Sequence, residues 1–131
     1  MLRSAWYFEN RCEFKKSEII EIEGRKNLIK RCIINIIGNG LAYGEKIKIQ
    51  IKKSINGGII IVEDNGPGIP ESEFFNVFKP FYRIDKSRGL NKSGVGLGLS
   101  VAQDIVKSHG GSISLSESKH KGLNVKISLP F

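Results

Sequence analysis

The sequence predicts an α+β fold, a two-layer α/β sandwich in which a mostly antiparallel, mixed sheet carries helices on one face. Three observations predict it. Segments of strict period-two alternation flank segments of helical period. They follow one another as two short strands, helix, hairpin, loop, helix and hairpin. The length, 131 residues with 40% apolar content, suits one core and not two.

Residues 1–9 carry no clear pattern and read as a tail or the stub of a preceding element, leaving 10–131 as one domain. Cys12 to Lys16 and Glu18 to Glu23 read as short strands, with Ile20 and Ile22 alternating against Glu21 and Glu23. From about Arg25 to Tyr43 the period becomes helical, and Ile29, Ile33, Ile36 and Ile37 form one apolar stripe. Gly40 weakens the end of this helix and Gly44 stops it. Lys46 to Lys52 alternates strictly, with Ile47, Ile49 and Ile51 inward, and Asn56-Gly57-Gly58 signals a hairpin turn. Ile59 to Glu63 is almost continuously apolar, as expected of a central strand. It runs into Asp64-Asn65-Gly66-Pro67-Gly68-Ile69-Pro70, which cannot be regular structure.

A short helix is expected around Glu71 to Val77, then a basic loop from Lys79 to Ser93. Gly94-Val95-Gly96-Leu97-Gly98 feeds a second helix, marked by Leu99, Ala102 and Val106 and ended by His109-Gly110-Gly111. Ser112 to Ser116 and Leu123 to Leu129 are the closing strands, the latter with Leu123, Val125, Ile127 and Leu129 on one face.

A formal charge of +8 favours an anionic partner: nucleic acid, an acidic membrane face or a phosphate-bearing ligand. No apolar run approaches the roughly 20 residues of a spanning helix, and the first residues lack the apolar core of a signal peptide. Two cysteines, Cys12 and Cys32, exclude a disulfide framework and a four-cysteine zinc site, so a reduced, cytoplasmic setting is expected. A nucleic-acid binder would need stacking aromatics among its charges, and apart from Phe14 only the Lys79 to Lys92 segment offers any.

The glycines raise the question of phosphate binding. No Walker P-loop is present. The dinucleotide fingerprint also fails, because Leu99 stands where its last glycine belongs. What remains is a glycine-rich entry to a helix N-terminus, whose free amides and dipole of about half a positive charge suit phosphate. Asp64, at the end of an apolar strand, is an acceptor only. It can receive a hydrogen bond from an exocyclic amine such as adenine's and would repel the carbonyl of guanine. Asp64 can equally cap its own turn. Asn35 and Asn39 lie one turn apart on one helix face, with Tyr43 one turn later. An amide oxygen is a hard, neutral ligand suited to Mg²⁺. Solvent could equally satisfy both amides.

Together these segments resemble the catalytic, ATP-binding domain of sensor histidine kinases, within the superfamily shared with gyrase, mismatch-repair and heat-shock chaperone ATPases. Leu28 to Gly44, with Asn35, Asn39 and Tyr43, resembles the N box. Val62 to Pro70, with Asp64, Gly66, Gly68 and Ile69, resembles the G1 box. Val77 to Arg83, with Phe78 and Phe81, resembles the F box, and Ser93 to Ser100 the G2 box. Each box alone is modest, but four in order across residues 10 to 130 are specific. Their style is similar to that of the osmosensing porin-regulator kinases.

The resemblance implies the Bergerat ATP-binding fold and a set of roles. Asp64 would read the adenine amine, with Gly66 and Gly68 letting the backbone approach the base and Ile69 and Tyr43 lining the site. Asn39 would ligate Mg²⁺ and Asn35 would lie close to the phosphates. Phe78 and Phe81 would anchor a mobile lid. Gly94, Val95, Gly96, Leu97, Gly98 and Leu99 would wrap the phosphates through backbone amides. The lid, Lys79 to Lys92, has five basic side chains against Asp85, a net +4, and Arg83 and Lys86 are its candidate phosphate contacts.

Where hydrolytic members of the superfamily carry a glutamate as general base, this chain has Asn35, which cannot take the proton of an attacking water. The γ-phosphoryl is therefore expected to go to another acceptor: a histidine on a separate dimerisation domain, and then a response regulator. The alternative within the superfamily is a nucleotide-binding regulatory module, such as an anti-sigma serine kinase or a non-catalytic ATP-gated domain. Two departures stand out: Gly40, where alanine is usual, and Ala42, where a basic residue often contacts phosphate. The acceptor histidine and any sensory or membrane segments are expected outside this chain, which alone is expected to be monomeric. His109 is expected to cap its helix, and His120 to sit on a surface turn.

Overall fold

The alternating segments pair into one five-stranded sheet. In the computed structural model, which describes residues 12–14, 24–43, 46–80, 98–118 and 122–131, the elements are β1 (Cys12–Phe14), α1 (Lys26–Tyr43), β2 (Ile47–Lys53), β3 (Gly57–Asp64), α2 (Gly98–Ser108), β4 (Ser112–Glu117) and β5 (Leu123–Pro130). The strand order is β1-β2-β3-β5-β4, so β3 is central as its apolar run predicts. Four strands are mutually antiparallel, and β1 adds in parallel to β2, with Cys12 opposite Ile47. The strand expected over Glu18 to Glu23, residues 1–9, Gly44 and His120 lie outside the described residues.

Both helices bury their apolar stripes on one sheet face. Cys32, Ile36 and Ile37 of α1 and Leu99, Ala102, Ile105 and Val106 of α2 meet alternate residues of the strands. Ile36, Ile47, Val106 and Ile127 are the largest fully buried side chains. The Cys32 thiol donates to the Ala102 carbonyl, and burial pushes its pKa up to about 11. The thiolate form is thereby suppressed, and Cys32 behaves as a small core hydrophobe. Among the described residues, no helix is long and apolar enough to cross a membrane.

Two local expectations are corrected. The first hairpin turns at Ile55-Asn56, not at Asn56-Gly57-Gly58, because the Ser54 N–H donates to the Gly57 carbonyl at 2.8 Å. Gly57 and Gly58 belong to β3, facing Pro130 and Leu129. A Cβ on Gly57 would fall 1.9 Å from the Leu129 carbonyl oxygen, so this glycine serves strand approach rather than the turn. The helix expected around Glu71 to Val77 is instead two 3-10 turns, Glu71–Glu73 and Asn76–Phe78. Three-residue spacing keeps Phe74 and Val77 on the core side, with Phe78 also packed there. Phe75 points outward under the Lys79 ammonium.

At the end of the molecule away from Asp64, α2 stops in a Schellman motif. Gly111 N–H donates to Val106 C=O and Gly110 N–H to Lys107 C=O, with Gly110 at φ 76°. His109 adds a second cap. Its Nδ1–H faces the Ile105 carbonyl at 2.8 Å, while Nε2 accepts the Arg25 N–H at 2.9 Å. The imidazole thus joins the Ser108 hydroxyl on the Ile105 carbonyl of α2 and satisfies a free amide at the start of α1.

Candidate nucleotide site

The site is assembled around the last third of α1. Asn35 and Asn39 sit half-buried on this helix. A Cβ placed on Gly98 would lie 3.5 Å from the Asn35 carbonyl oxygen, so the start of α2 rests beside Asn35. One turn along, a Cβ on Gly40 would lie 3.5 Å from the Asp64 Cβ and 2.8 Å from the end of Ile47. Positions 35 to 40, spanning about 7.5 Å of helix at 1.5 Å per residue, therefore bridge the N-terminus of α2 and the C-terminus of β3. Gly40 does not end the helix, which runs on to Tyr43. Its missing side chain lets α1 lie close to the strand end that carries Asp64.

Asp64 is 8% exposed and points to the helix side of the sheet. Two backbone amides donate to the same carboxylate oxygen, Oδ1: Gly66 at 2.9 Å and Leu123 at 3.2 Å. Desolvation raises the pKa of this group above its ordinary value. The two amides pull it down and the neighbouring Glu63 charge pushes it up, leaving the net shift upward. The turn that follows is held separately. Asn65 Oδ1 accepts the Lys46 N–H at 2.9 Å and its own N–H donates to Lys46 C=O at 3.2 Å, while Gly68 takes φ 77°. The turn therefore keeps a fixed shape while Oδ2 of Asp64 receives no hydrogen bond from the described residues.

Asn35, Asn39, Asp64 and Gly98 are thus gathered by α1. Gly66, Gly68 and Ile69 form the turn beside them, with Ile69 partly buried against the core, as is Phe78. Leu99 has its side chain in the core with Ala102 and Val106, as the helical stripe predicts, and its backbone lies at the start of α2. Tyr43 ends α1. Phe81, Arg83, Lys86, Gly94, Val95, Gly96 and Leu97, and with them most of the basic lid, lie outside the described residues.

Sequence reasoning missed Gly122 and Leu123. A Cβ on Gly122 would fall 1.9 Å from the Asp64 carbonyl oxygen and 2.6 Å from its Oδ1. The available signal was a glycine just before an alternating strand, which reads as ordinary turn chemistry until the strand order is known.

No group of three or more His, Cys, Asp or Glu among the described residues could hold a metal ion. Asn39 can offer one neutral oxygen, which suits a hard cation that keeps waters and takes other oxygens from a phosphate ligand.

Comparison with known proteins agrees with this geometry. Residues 24–131 match the family described as histidine kinase-, DNA gyrase B- and HSP90-like ATPase. The chain is 37% identical over 107 residues to the sensor histidine kinase GtrS of Pseudomonas aeruginosa, covering 82% of this chain and 22% of that protein. It is likewise 37% identical over 114 residues to the histidine-protein kinase ArlS of Staphylococcus aureus, covering 85% of this chain and 25% of that one. The chain thus spans about a quarter of the length of these curated relatives. Among solved structures, the ATP-binding domain of PrrB from Mycobacterium tuberculosis superposes with a TM-score of 0.79 at 25% identity, covering 98% of this chain and 86% of that one. This chain belongs to the family of histidine kinase-, gyrase B- and HSP90-like ATPases, and its relatives within that family are sensor histidine kinases.

Proposed function

We propose that this chain binds ATP with Mg²⁺ and donates the γ-phosphoryl to a histidine on a separate dimerisation domain of the same kinase. From there the group passes to an aspartate of a response regulator. The carrying observation is the Asp64 carboxylate, buried at a strand end with both of its hydrogen bonds on Oδ1. An acceptor held in this way matches the 6-amino group of adenine and repels the 6-carbonyl of guanine.

The remaining roles are those the family's boxes imply. Gly66 and Gly68 let the base approach the turn, with Ile69 beside it, and Tyr43 closes the helix end. Backbone amides at Gly98 and Leu99, at the N-terminus of α2, face the phosphates. By resemblance to the family's boxes, Gly94 to Leu97 would also serve the phosphates, and Arg83 and Lys86 would add charge there. Asn39 would hold Mg²⁺, which supplies charge neutralisation on the phosphates. Asn35, an amide where a base would be needed, disfavours loss of the γ-phosphoryl to water. Catalysis on this chain is thus positioning and electrostatics. The working enzyme is a cytoplasmic part of a membrane-bound sensor, with the chain itself monomeric.

The test is transfer. Labelled ATP, this chain and a separately purified dimerisation domain should yield acid-labile phosphohistidine. ATP binding without any transfer would instead assign the chain to nucleotide-gated regulation. Calorimetry should show ATP bound more tightly than GTP, and more tightly with Mg²⁺ than without.

A further inference from the structure

Glu63 and Asp64 are neighbours in β3, so their side chains project to opposite faces of the sheet. Both reach the same hairpin. On the helix side, Asp64 Oδ1 accepts the Leu123 N–H, and Gly122 lies so close that only a glycine fits. On the outer side, the buried Ser118 hydroxyl donates to the Glu63 carboxylate. The Ser118 N–H donates to the Gly122 carbonyl at 2.7 Å and closes the hairpin between these two grips. The β3–β5 ladder ends at Glu63 opposite Asn124, and the β4–β5 ladder at Glu117 opposite Leu123. Both ladders thus have their own pairs, and the grip adds to them at the strand end that carries Asp64.

We propose that Ser118, through Glu63, is a positioning residue for base selection: it holds the Gly122-Leu123 turn against the strand end and so keeps the Leu123 amide on Oδ1 of Asp64. The inference rests on the reading of Asp64 as the adenine acceptor. With the Leu123 amide in place, Oδ1 is occupied and the carboxylate cannot rotate freely, so Oδ2 presents a fixed acceptor. With the amide withdrawn, the carboxylate loses one of two donors that favour its ionised form and fix its plane.

Affinities for ATP and for inosine triphosphate, which carries a carbonyl in place of the 6-amino group, test this by calorimetry. Ser118→Ala should narrow the ATP preference by about threefold to tenfold, the worth of one hydrogen bond, and Ser118→Thr should restore it. Amide hydrogen exchange without nucleotide should show Leu123 losing protection in Ser118→Ala while β5 beyond Val125 keeps it. An unchanged preference, an equal loss for both nucleotides, or unchanged Leu123 protection overturns the proposal. Should Ser118→Ala fail to fold, Glu63→Met deletes the acceptor of the same bond, and it is compared with Glu63→Gln, which removes the same charge but keeps an acceptor oxygen. Met alone should narrow the preference, and equal effects of the two overturn the proposal. A wild-type chain with no preference for ATP over inosine triphosphate overturns the Asp64 reading itself.

Discussion

Two glycine turns of this chain are built from the same materials and used in opposite ways. Asp64-Asn65-Gly66-Pro67-Gly68 and His109-Gly110-Gly111 each follow a regular element, and each contains one glycine at positive φ, 77° at Gly68 and 76° at Gly110. Each also places an ionisable side chain over the element's end. In the His109 turn the polar groups of the cap close on each other: three amides return to helix carbonyls, and both ring nitrogens are engaged. In the Asp64 turn both donors converge on one oxygen, and the second oxygen receives none from the described residues. A turn whose polar groups are all satisfied internally is a cap. One that leaves a carboxylate oxygen without a donor from the described residues can offer it to a ligand.

The largest expected effect breaks the Asp64 side alone. Asp64→Asn keeps an Oδ1 acceptor for Gly66 and Leu123 but turns a donor toward the ligand. ATP affinity should fall roughly 10- to 150-fold, the range for a hydrogen bond to a charged group. The thermal midpoint should hold or rise, since a buried charge is removed. Calorimetry and a melting curve on one sample check both.

The pH dependence sharpens the contrast. Because the folded pKa of Asp64 lies above its unfolded value, the folded state holds this proton more tightly. This group's contribution to stability therefore rises as pH falls through the folded pKa, and is lost as pH rises through it. ATP affinity should move the other way, weakening as pH falls through that raised pKa because the ionised acceptor disappears. Titrations of ATP binding in parallel with Asp64→Asn should show this dependence in the wild type and lose it in the variant.

Next come the two glycines. Gly68→Ala and Gly110→Ala should each cost about 1–2 kcal/mol of stability from left-handed strain. Only Gly68→Ala should also weaken ATP binding. Equal effects on ATP would erase the distinction between the turns. The smallest effect is expected for His109→Ala, which frees the Arg25 amide for about 1 kcal/mol while the Ile105 carbonyl keeps the Ser108 hydroxyl as donor. Denaturant melts should detect it while ATP affinity stays within error.

The sequence was a good guide wherever the signal is local. The stripe of α1, the alternation of β2 and β5, the central place of β3 and the stop at His109-Gly110-Gly111 all rest on neighbours a few residues apart. Asp64, Asn35 and Asn39 stood out through carboxylate and amide chemistry within the resembled boxes, and α1 gathers them beside the end of β3. Reading failed where one residue type serves two ends. Gly57 and Gly58 look like a turn, yet they are strand residues because Leu129 and Pro130 of a distant strand press against them.

By itself, then, the sequence determined the elements, their order and the carboxylate chemistry of Asp64, since periodicity and side-chain type are properties of short segments. Only the tertiary structure decided what touches that residue. The Leu123 amide is 59 positions from Asp64, and Arg25 is 84 from His109. Those pairs meet because β5 inserts between β3 and β4 in the sheet and because α1 and α2 pack side by side. Strand order is a global choice among packings, and no local pattern encodes it.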